Sequence, residues 1–300
     1  MSARQAAGGV ALAIALTLPL FVKSPYILHI AIVTGIYMVL VQSLNIVLGY
    51  CGLLSLASPA FFGMGAYVAT LLALKLGWDS GVTLALAAFA GIVTAVVIGF
   101  PSLRVSRHAF VIVTLAATLL LQLVALNWED VTRGSLGLPD IPAPRFFGVA
   151  VTSRIAWYYF SAAAALGALA ATWLLVSSRI GRAMVAVRDN EQLALACGID
   201  AFRTRLFAFC FSAALGAIAG GIYAHFITYI DPGVFGFSVT ETLLIMVILG
   251  GPGTLLGPLA GAVIFTALPE ILRLAPEMRS LIYGVILLAV VLYHPRRVFA

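Results

Sequence analysis

The chain is patterned as long apolar runs separated by short clusters of charge. No Asp, Glu, Lys or Arg occurs between Lys23 and Lys75, which leaves room for two membrane spans. Further uncharged runs separate Asp79 from Arg104, Arg107 from Glu129, Arg154 from Arg179, Arg205 from Asp231, Glu241 from Glu270 and Arg279 from Arg296. A bilayer-crossing helix needs about 20 predominantly apolar residues. The runs predict an all-α polytopic protein with spans at 8–22, 27–48, 57–74, 81–100, 108–127, 155–177, 206–229, 238–250, 255–270 and 280–294. That makes ten spans, or eight to nine if 238–270 holds a broken or re-entrant element. The first run ends Pro19-Leu20-Phe21-Val22-Lys23 with no small-residue cleavage site, so it reads as a short span, with a signal peptide as the alternative. Continuous runs of this length are unlike the alternating segments of about ten residues that build a β-barrel.

Composition narrows the class. Of 300 residues, 63% are hydrophobic and 9% charged, and the mean hydropathy is +1.12. A soluble domain carries about 25% charged residues, so a soluble globular enzyme, a disordered tail and a nucleic-acid reader are excluded. The net charge of +6 follows topology. With the N-terminus inside, the inner segments carry ten basic and three acidic residues, and the outer segments seven and eight. That excess of Lys and Arg inside sets the orientation and places both termini in the cytoplasm. Tyr26, Trp78, Trp128 and the Trp157-Tyr158-Tyr159 cluster fall at outer interfaces, and Trp173 at the inner one, as amphipathic rings do. Cys51, Cys197 and Cys210 are odd in number and lack C-x-x-C spacing, which argues against a disulfide framework and a zinc site.

The chain is predicted to be one transmembrane domain over 1–300 with two long loops. The outer loop, 127–154, contains Thr132-Arg133-Gly134-Ser135-Leu136-Gly137-Leu138-Pro139, an ordered turn. The inner loop, 178–205, is the most charged part of the chain. There Asp189 is predicted as an N-cap, with Gln192 completing a capping box and Gly198 at C′. A helix of about two turns is marginal alone in water, so it lies either on the membrane or the protein's own inner face, or against a cytoplasmic partner.

Two segments echo one another. Leu48-Gly49-Tyr50-Cys51-Gly52-Leu53-Leu54 and Leu249-Gly250-Gly251-Pro252-Gly253-Thr254-Leu255 both fit L-G-x-x-G-x-L. Such interruptions expose backbone polar groups, tolerated at membrane depth only inside protein or beside a watery cavity. In transporters they flag the translocation route. The alternative is close packing through small residues, as in Gly63-x-Gly65 or Gly216-x-x-x-Gly220. No ionisable Asp, Glu, Lys or Arg lies at a span centre, which lowers the case for an ion-driven carrier. Lys23 and Lys75 are the only lysines and neither sits in a Walker A motif, so the chain is not itself a P-loop ATPase. No H-E-x-x-H occurs, and His225 reads as a hydrogen-bonded packing residue.

Taken together, several motifs resemble the branched-chain amino acid ABC transporter permeases, LIV-M type, whose relatives include urea and short-amide permeases. They are Ser43-Leu-Asn-Ile-Val-Leu-Gly-Tyr-Cys-Gly-Leu-Leu-Ser-Leu continuing to Phe61-Phe-Gly-Met-Gly-Ala-Tyr67, Gly181-Arg182 through Gly198-Ile199, and Gly250-Gly-Pro-Gly-Thr-Leu-Leu-Gly-Pro258. Leu268-Pro-Glu-Ile-Leu-Arg273, Tyr283-Gly284 and His294-Pro-Arg296 complete the pattern, so the resemblance runs over residues 35–298. Two positions depart from it. Ala57-Ser58-Pro59 stands where the family has Gly-His-Ala, and Arg133 stands in the middle of the usual Thr-Gly-Gly. Arg133 can pair with a carboxylate, as in an amino acid or other organic acid.

The resemblance implies a permease subunit of an ATP-driven importer in the bacterial inner membrane. Its substrate would be branched-chain or other hydrophobic amino acids, with a urea or short-amide permease as the alternative. It implies a second homologous permease, two cytoplasmic ATPases that hold ATP and Mg, and an extracytoplasmic substrate-binding protein. This chain would carry no cofactor, metal or catalytic residue. Arg188, Asp189, Glu191 and Gly198 are the expected ATPase-coupling residues. Gly49, Gly52, Ser55, Thr132, Gly250, Gly253 and Thr254 are the expected substrate pathway. A channel or secondary carrier for a small solute is the rival of a different class.

Overall fold

A computed structural model describes residues 24–146 and 149–271. The expected spans 8–22 and 280–294, both termini, and the motifs at Tyr283-Gly284 and His294-Pro-Arg296 lie outside the described residues. Helix α1 (Pro25–Asn45) runs into a π-helical turn at Ile46–Tyr50. Then come α2 (Ser58–Leu76), α3 (Ser80–Ser102), α4 (Arg107–Asn127), the single turn α5 (Glu129–Thr132) and α6 (Arg154–Ser177). Helices α7 (Arg179–Asp189), α8 (Glu191–Ala196), α9 (Ala201–Ile227), α10 (Phe237–Gly250) and α11 (Gly257–Ile271) follow. A two-residue hairpin pairs β1 (Arg145–Phe146) with β2 (Val149–Ala150).

Among the described residues, six helices are long and apolar enough to cross a membrane: α1 with its π turn, α2, α3, α4, α6 and α9. This is a multi-pass helical membrane protein. Helix α10 has only 14 residues. At 1.5 Å per residue it reaches about 21 Å, short of the roughly 30 Å hydrocarbon core. Helix α10 turns back through 251–256 and packs along α11.

Helix α9 is the centre of the bundle and packs against α1, α2 and α3. The approach is close because glycines face backbone. A Cβ at Gly65 would overlap the Ala217 carbonyl, and one at Gly220 would overlap the Phe62 carbonyl. Lipid tails give no hydrophobic drive between helices, so van der Waals contact through small residues holds them. Phe61 and Phe110 meet Phe209 edge-on at 5.0 and 5.8 Å, filling the space where α2, α4 and α9 converge. By contrast, α3, α4 and α6 turn most of their apolar surface outward.

The connections gather at two ends. At one lie 51–57, 102–107, 178–200 and 251–256; at the other lie 77–79, 128–146, 149–153 and 228–236. Among residues 24–267, the first end carries Arg104, Arg107, Arg179, Arg182, Arg188, Arg203 and Arg205 against Asp189, Glu191 and Asp200. The opposite end carries Lys75, Arg133, Arg145 and Arg154 against Asp79, Glu129, Asp130, Asp140, Asp231 and Glu241. Tyr26, Trp78, Trp128, Tyr159 and Trp173 are exposed as interface rings should be, but Trp157 and Tyr158 are not. Trp157 packs edge-on against Phe226 at 5.2 Å, and the Trp157 and Tyr158 rings are buried at the head of α6. They fill helix packing rather than meet headgroups.

Because backbone abuts Gly220, Gly220→Ala must push α2 away from α9. The expected loss is on the order of 1–3 kcal/mol. Gly167 has nothing within 4 Å, so Gly167→Ala should be neutral or stabilising by up to about 1 kcal/mol. Thermal unfolding of the two variants in detergent, side by side, checks this contrast.

Candidate functional site

The charged loop departs from the expectation of one short helix capped by Asp189. It forms two helices. Ser178 caps α7 by accepting the Gly181 N–H, and Asn190 caps α8 by accepting the Leu193 N–H at 3.0 Å. Asp189 is the last residue of α7, and its carboxylate takes the Arg188 Nε–H at 2.9 Å. The cap moves one residue because Asn190 is the one in extended backbone, φ −154° and ψ 103°, which aims its amide oxygen at the first turn. Gly198, at φ +82°, closes α8. Ile199 N–H reaches the Ala194 carbonyl and Gly198 N–H the Leu195 carbonyl, a Schellman ending. Helix α8 thus presents Leu193 and Leu195 to solvent while Ala194 packs inward with Val187 and Ala201.

Both helices are tied to the bundle. Arg188 Nη1 donates to the Gly49 carbonyl at 2.8 Å. The Glu191 carboxylate takes both Arg205 guanidinium nitrogens, at 2.8 and 2.6 Å, and lies 3.8 Å from Arg107. One acid therefore links α8 to the first turns of α9 and α4. The Arg205 hydrogen bonds, reinforced by both positive charges, hold the Glu191 carboxyl below its ordinary value of 4.5.

The two L-G-x-x-G-x-L segments meet face to face. A Cβ at Gly49 would overlap the Gly253 backbone nitrogen. Asn45 spans the crossing: its Oδ1 accepts the Gly253 N–H at 2.9 Å and its Nδ2 donates to the Thr254 carbonyl at 2.9 Å. Gln42 Nε2 donates to the Leu255 carbonyl at 2.7 Å. The π turn shifts the backbone pairing by one residue, with Cys51 N–H reaching the Ile46 carbonyl, and leaves Gly49 O for Arg188. Arg188 also covers Gly52, where a Cβ would strike its Cγ at 2.5 Å. Gly250 backs onto Gly257, and the Thr254 hydroxyl donates into its own turn at Gly251 O, 2.8 Å.

Ser55 is buried, with its Oγ accepting the Ala57 N–H. Beside it Thr114 Oγ1 accepts the Leu56 N–H at 3.2 Å and Thr118 donates to the Leu56 carbonyl at 3.0 Å, so α4 grips the broken segment. The unusual Ala57-Ser58-Pro59 starts α2, with Pro59 in its first turn. Of the expected pathway residues, six share this end of the bundle. Thr132 stands at the other, where its hydroxyl is 2.7 Å from both the Ala125 and Trp128 carbonyls and accepts the Gly134 N–H at 3.2 Å. His225 is buried with Nδ1 2.9 Å from the Pro142 carbonyl oxygen. Gln42, Asn45, Thr114 and Thr118 carry no charge and so do not stand out along the apolar spans. Their signal was uncharged polarity at i, i+3 and i, i+4, which puts each pair on one helix face.

Residues 26–291 match the family described as the branched-chain amino acid transport system permease component. The chain belongs to this family. It is 30% identical over 303 residues to the Salmonella typhimurium high-affinity branched-chain amino acid transport system permease protein LivM, covering 92% of this chain and 70% of that one. It is 26% identical over 279 residues to the Escherichia coli permease protein LivH, covering 86% and 89%. Over 233 residues it is 27% identical to the autoinducer 2 import system permease protein LsrC of Salmonella paratyphi B, covering 73% and 65%. No solved structure matches the chain at a significant level. In this permease, then, the charged loop and both broken segments form one hydrogen-bonded unit.

Asn45→Ala strands the Gly253 N–H and the Thr254 carbonyl, costing about 1–3 kcal/mol for each group left unsatisfied. Its melting point should fall well below that of Asn127→Ala, whose amide serves only its own helix, at Leu123 O. The Glu191 clamp carries a pH signature. Its carboxyl is depressed in the folded state, so the stabilisation is complete above the ordinary carboxylate range and is lost as pH falls through the depressed value. Hydrogen exchange over 191–196 should be constant, after correction for intrinsic rate, from neutral pH down to about 5. It should accelerate only below that, and Glu191→Gln should show fast exchange throughout.

Proposed function

We propose that this chain is a permease subunit of an ATP-driven importer in the bacterial inner membrane, carrying branched-chain or other hydrophobic amino acids. Family membership and the LivM and LivH relatives support the substrate class. Similarity to both LivM and LivH also supports a second, homologous permease beside it. The Arg-rich end faces the cytoplasm by the excess of Lys and Arg there. Two cytoplasmic ATPases bind ATP and Mg against it, and an extracytoplasmic binding protein delivers substrate to the opposite end.

The observation that carries the mechanism is the Arg188 bond to Gly49 O. Force applied to α7–α8 reaches the crossing of the two broken segments through one side chain. Asp189 orients that guanidinium, Gly198 sets the end of α8, and the exposed Leu193 and Leu195 offer the ATPase an apolar contact. Glu191 acts inside the permease, carrying the same motion to α4 and α9 through Arg107 and Arg205. Gly49, Gly52, Ser55, Gly250, Gly253 and Thr254 then form the inner gate, which opens when the crossing separates. Thr132 shapes the outer mouth.

Reconstituted with its ATPases, second permease and binding protein, the chain should accumulate leucine only with ATP. Vesicles holding this chain alone should show no flux, and flux there would favour a channel or carrier. Glu191→Arg should uncouple ATP hydrolysis from uptake, by roughly tenfold or more for a lost charge-assisted pair. Combining it with Arg205→Glu should restore much of the coupling. Failure of that exchange to rescue a properly assembled complex would place the Glu191 partner on the ATPase instead.

A further inference from the structure

At the end opposite the charged loop, the last turn of α2, the turn α5 and residues 138–140 line a half-open cavity of ≈ 420 Å³. Its walls combine two cations, Lys75 and Arg133, two carboxylates, Asp130 and Asp140, and apolar surface that includes Leu71 and Leu138. None of the four charged side chains makes an ion pair or hydrogen bond among the described residues, although they share one cavity. Among the described residues, two of the three non-glycine residues with positive φ are Arg133 and Asp140, both at 59°. Such backbone costs roughly 1–2 kcal/mol per residue and persists where surrounding structure enforces it.

That enforcement is visible on both sides. Thr132, buried, locks the turn before Arg133 through three backbone groups. Leu138 and Ile230 exchange backbone hydrogen bonds at 2.8 and 3.2 Å, and Ile141 N–H reaches Thr228 O at 3.2 Å, bracketing Asp140. Tyr229 OH donates to Leu136 O at 3.2 Å. The charges thus stand on a braced frame around an apolar wall, without ion-pair or hydrogen-bond partners among the described residues.

We propose that this cavity is a binding site for a free α-amino acid with an apolar side chain. Arg133 and Lys75 take the carboxylate, Asp130 and Asp140 take the ammonium, and the Leu71–Leu138 wall takes the side chain. All four charged side chains are solvent-exposed, and a zwitterion offers an opposite charge to the cationic and the anionic pair at once. The site deepens the importer reading and rests on it for the substrate class. It gives the permease its own check on cargo at the outer mouth, separate from the inner glycine crossing.

The test uses the full chain in phosphatidylcholine nanodiscs, which lack a primary-ammonium headgroup to compete. Equilibrium binding is measured with L-leucine, with 4-methylpentanoate (no ammonium) and with leucinamide (no carboxylate). Leucine should bind saturably, and each analogue about tenfold or more weakly. Asn tolerates left-handed backbone, so Arg133→Asn and Asp140→Asn remove charge without disturbing the frame. Arg133→Asn should abolish the preference for leucine over leucinamide, and Asp140→Asn the preference over 4-methylpentanoate. Arg133→Lys should retain the preference. No saturable leucine binding by folded chain, or variants that bind less without changing preference, overturns the site. So does a result in which the variants alter only docking of the binding protein. ATP-driven leucine uptake by the complex without leucine binding to this cavity overturns the site alone. Binding here without any ATP-driven uptake overturns the importer reading and leaves the site standing.

Discussion

Two glycine turns from opposite ends of the chain touch backbone to backbone, and much of this permease is arranged around that contact. The approach of Gly49 to Gly253 leaves no room for a side chain at Gly49. It also removes backbone groups from helical pairing at the point where helices break. Within a bilayer each such group must find a partner inside the protein. Asn45, Gln42 and Arg188 supply them, and each does so by reaching across from another element. The crossing is therefore a junction of α1, α7, α10 and α11, held by directional bonds rather than by apolar packing alone.

This explains why the charged loop is built as it is. A six-residue helix has no stability of its own in water. Helix α8 persists because Asn190 and Gly198 close its two ends and because Glu191 anchors it to Arg205. Glu191 is internally satisfied, and what remains outward is an apolar tip. The loop thereby separates an exposed apolar tip from a set of tethers to the bundle.

The two ends of the molecule use charge differently. At the loop end Arg107, Arg188, Arg203 and Arg205 all have carboxylate or carbonyl partners. At the opposite end Lys75, Asp130, Arg133 and Asp140 have none among the described residues. The paired charges fix the loop against the bundle, and the unpaired ones are those assigned to the proposed amino-acid site. The Arg at the centre of the expected Thr-Gly-Gly motif belongs to this second kind, which gives that departure from the family pattern a physical meaning.

The apolar runs alone determined the helices: 27–48, 57–74, 81–100, 108–127, 155–177 and 206–229 differ by only a few residues from the observed elements. Hydrophobic length is a local property, and a bilayer-spanning helix satisfies its own backbone, so one dimension suffices. The echo of the two L-G-x-x-G-x-L segments was also legible, as was the Gly198 helix end, because both are matters of residue type and spacing. What the chain could not disclose in one dimension was partnership. That the two echoes touch, that Asn45 and Gln42 hold them, that Glu191 faces Arg205 across 14 residues and Arg188 faces Gly49 across 139 are consequences of the bundle's packing. The same limit moved the α8 cap from Asp189 to Asn190 and buried Trp157 and Tyr158. Whether a polar side chain caps a helix, or an aromatic ring meets headgroups, depends on backbone direction and on neighbours from distant segments. Only the folded bundle decides those.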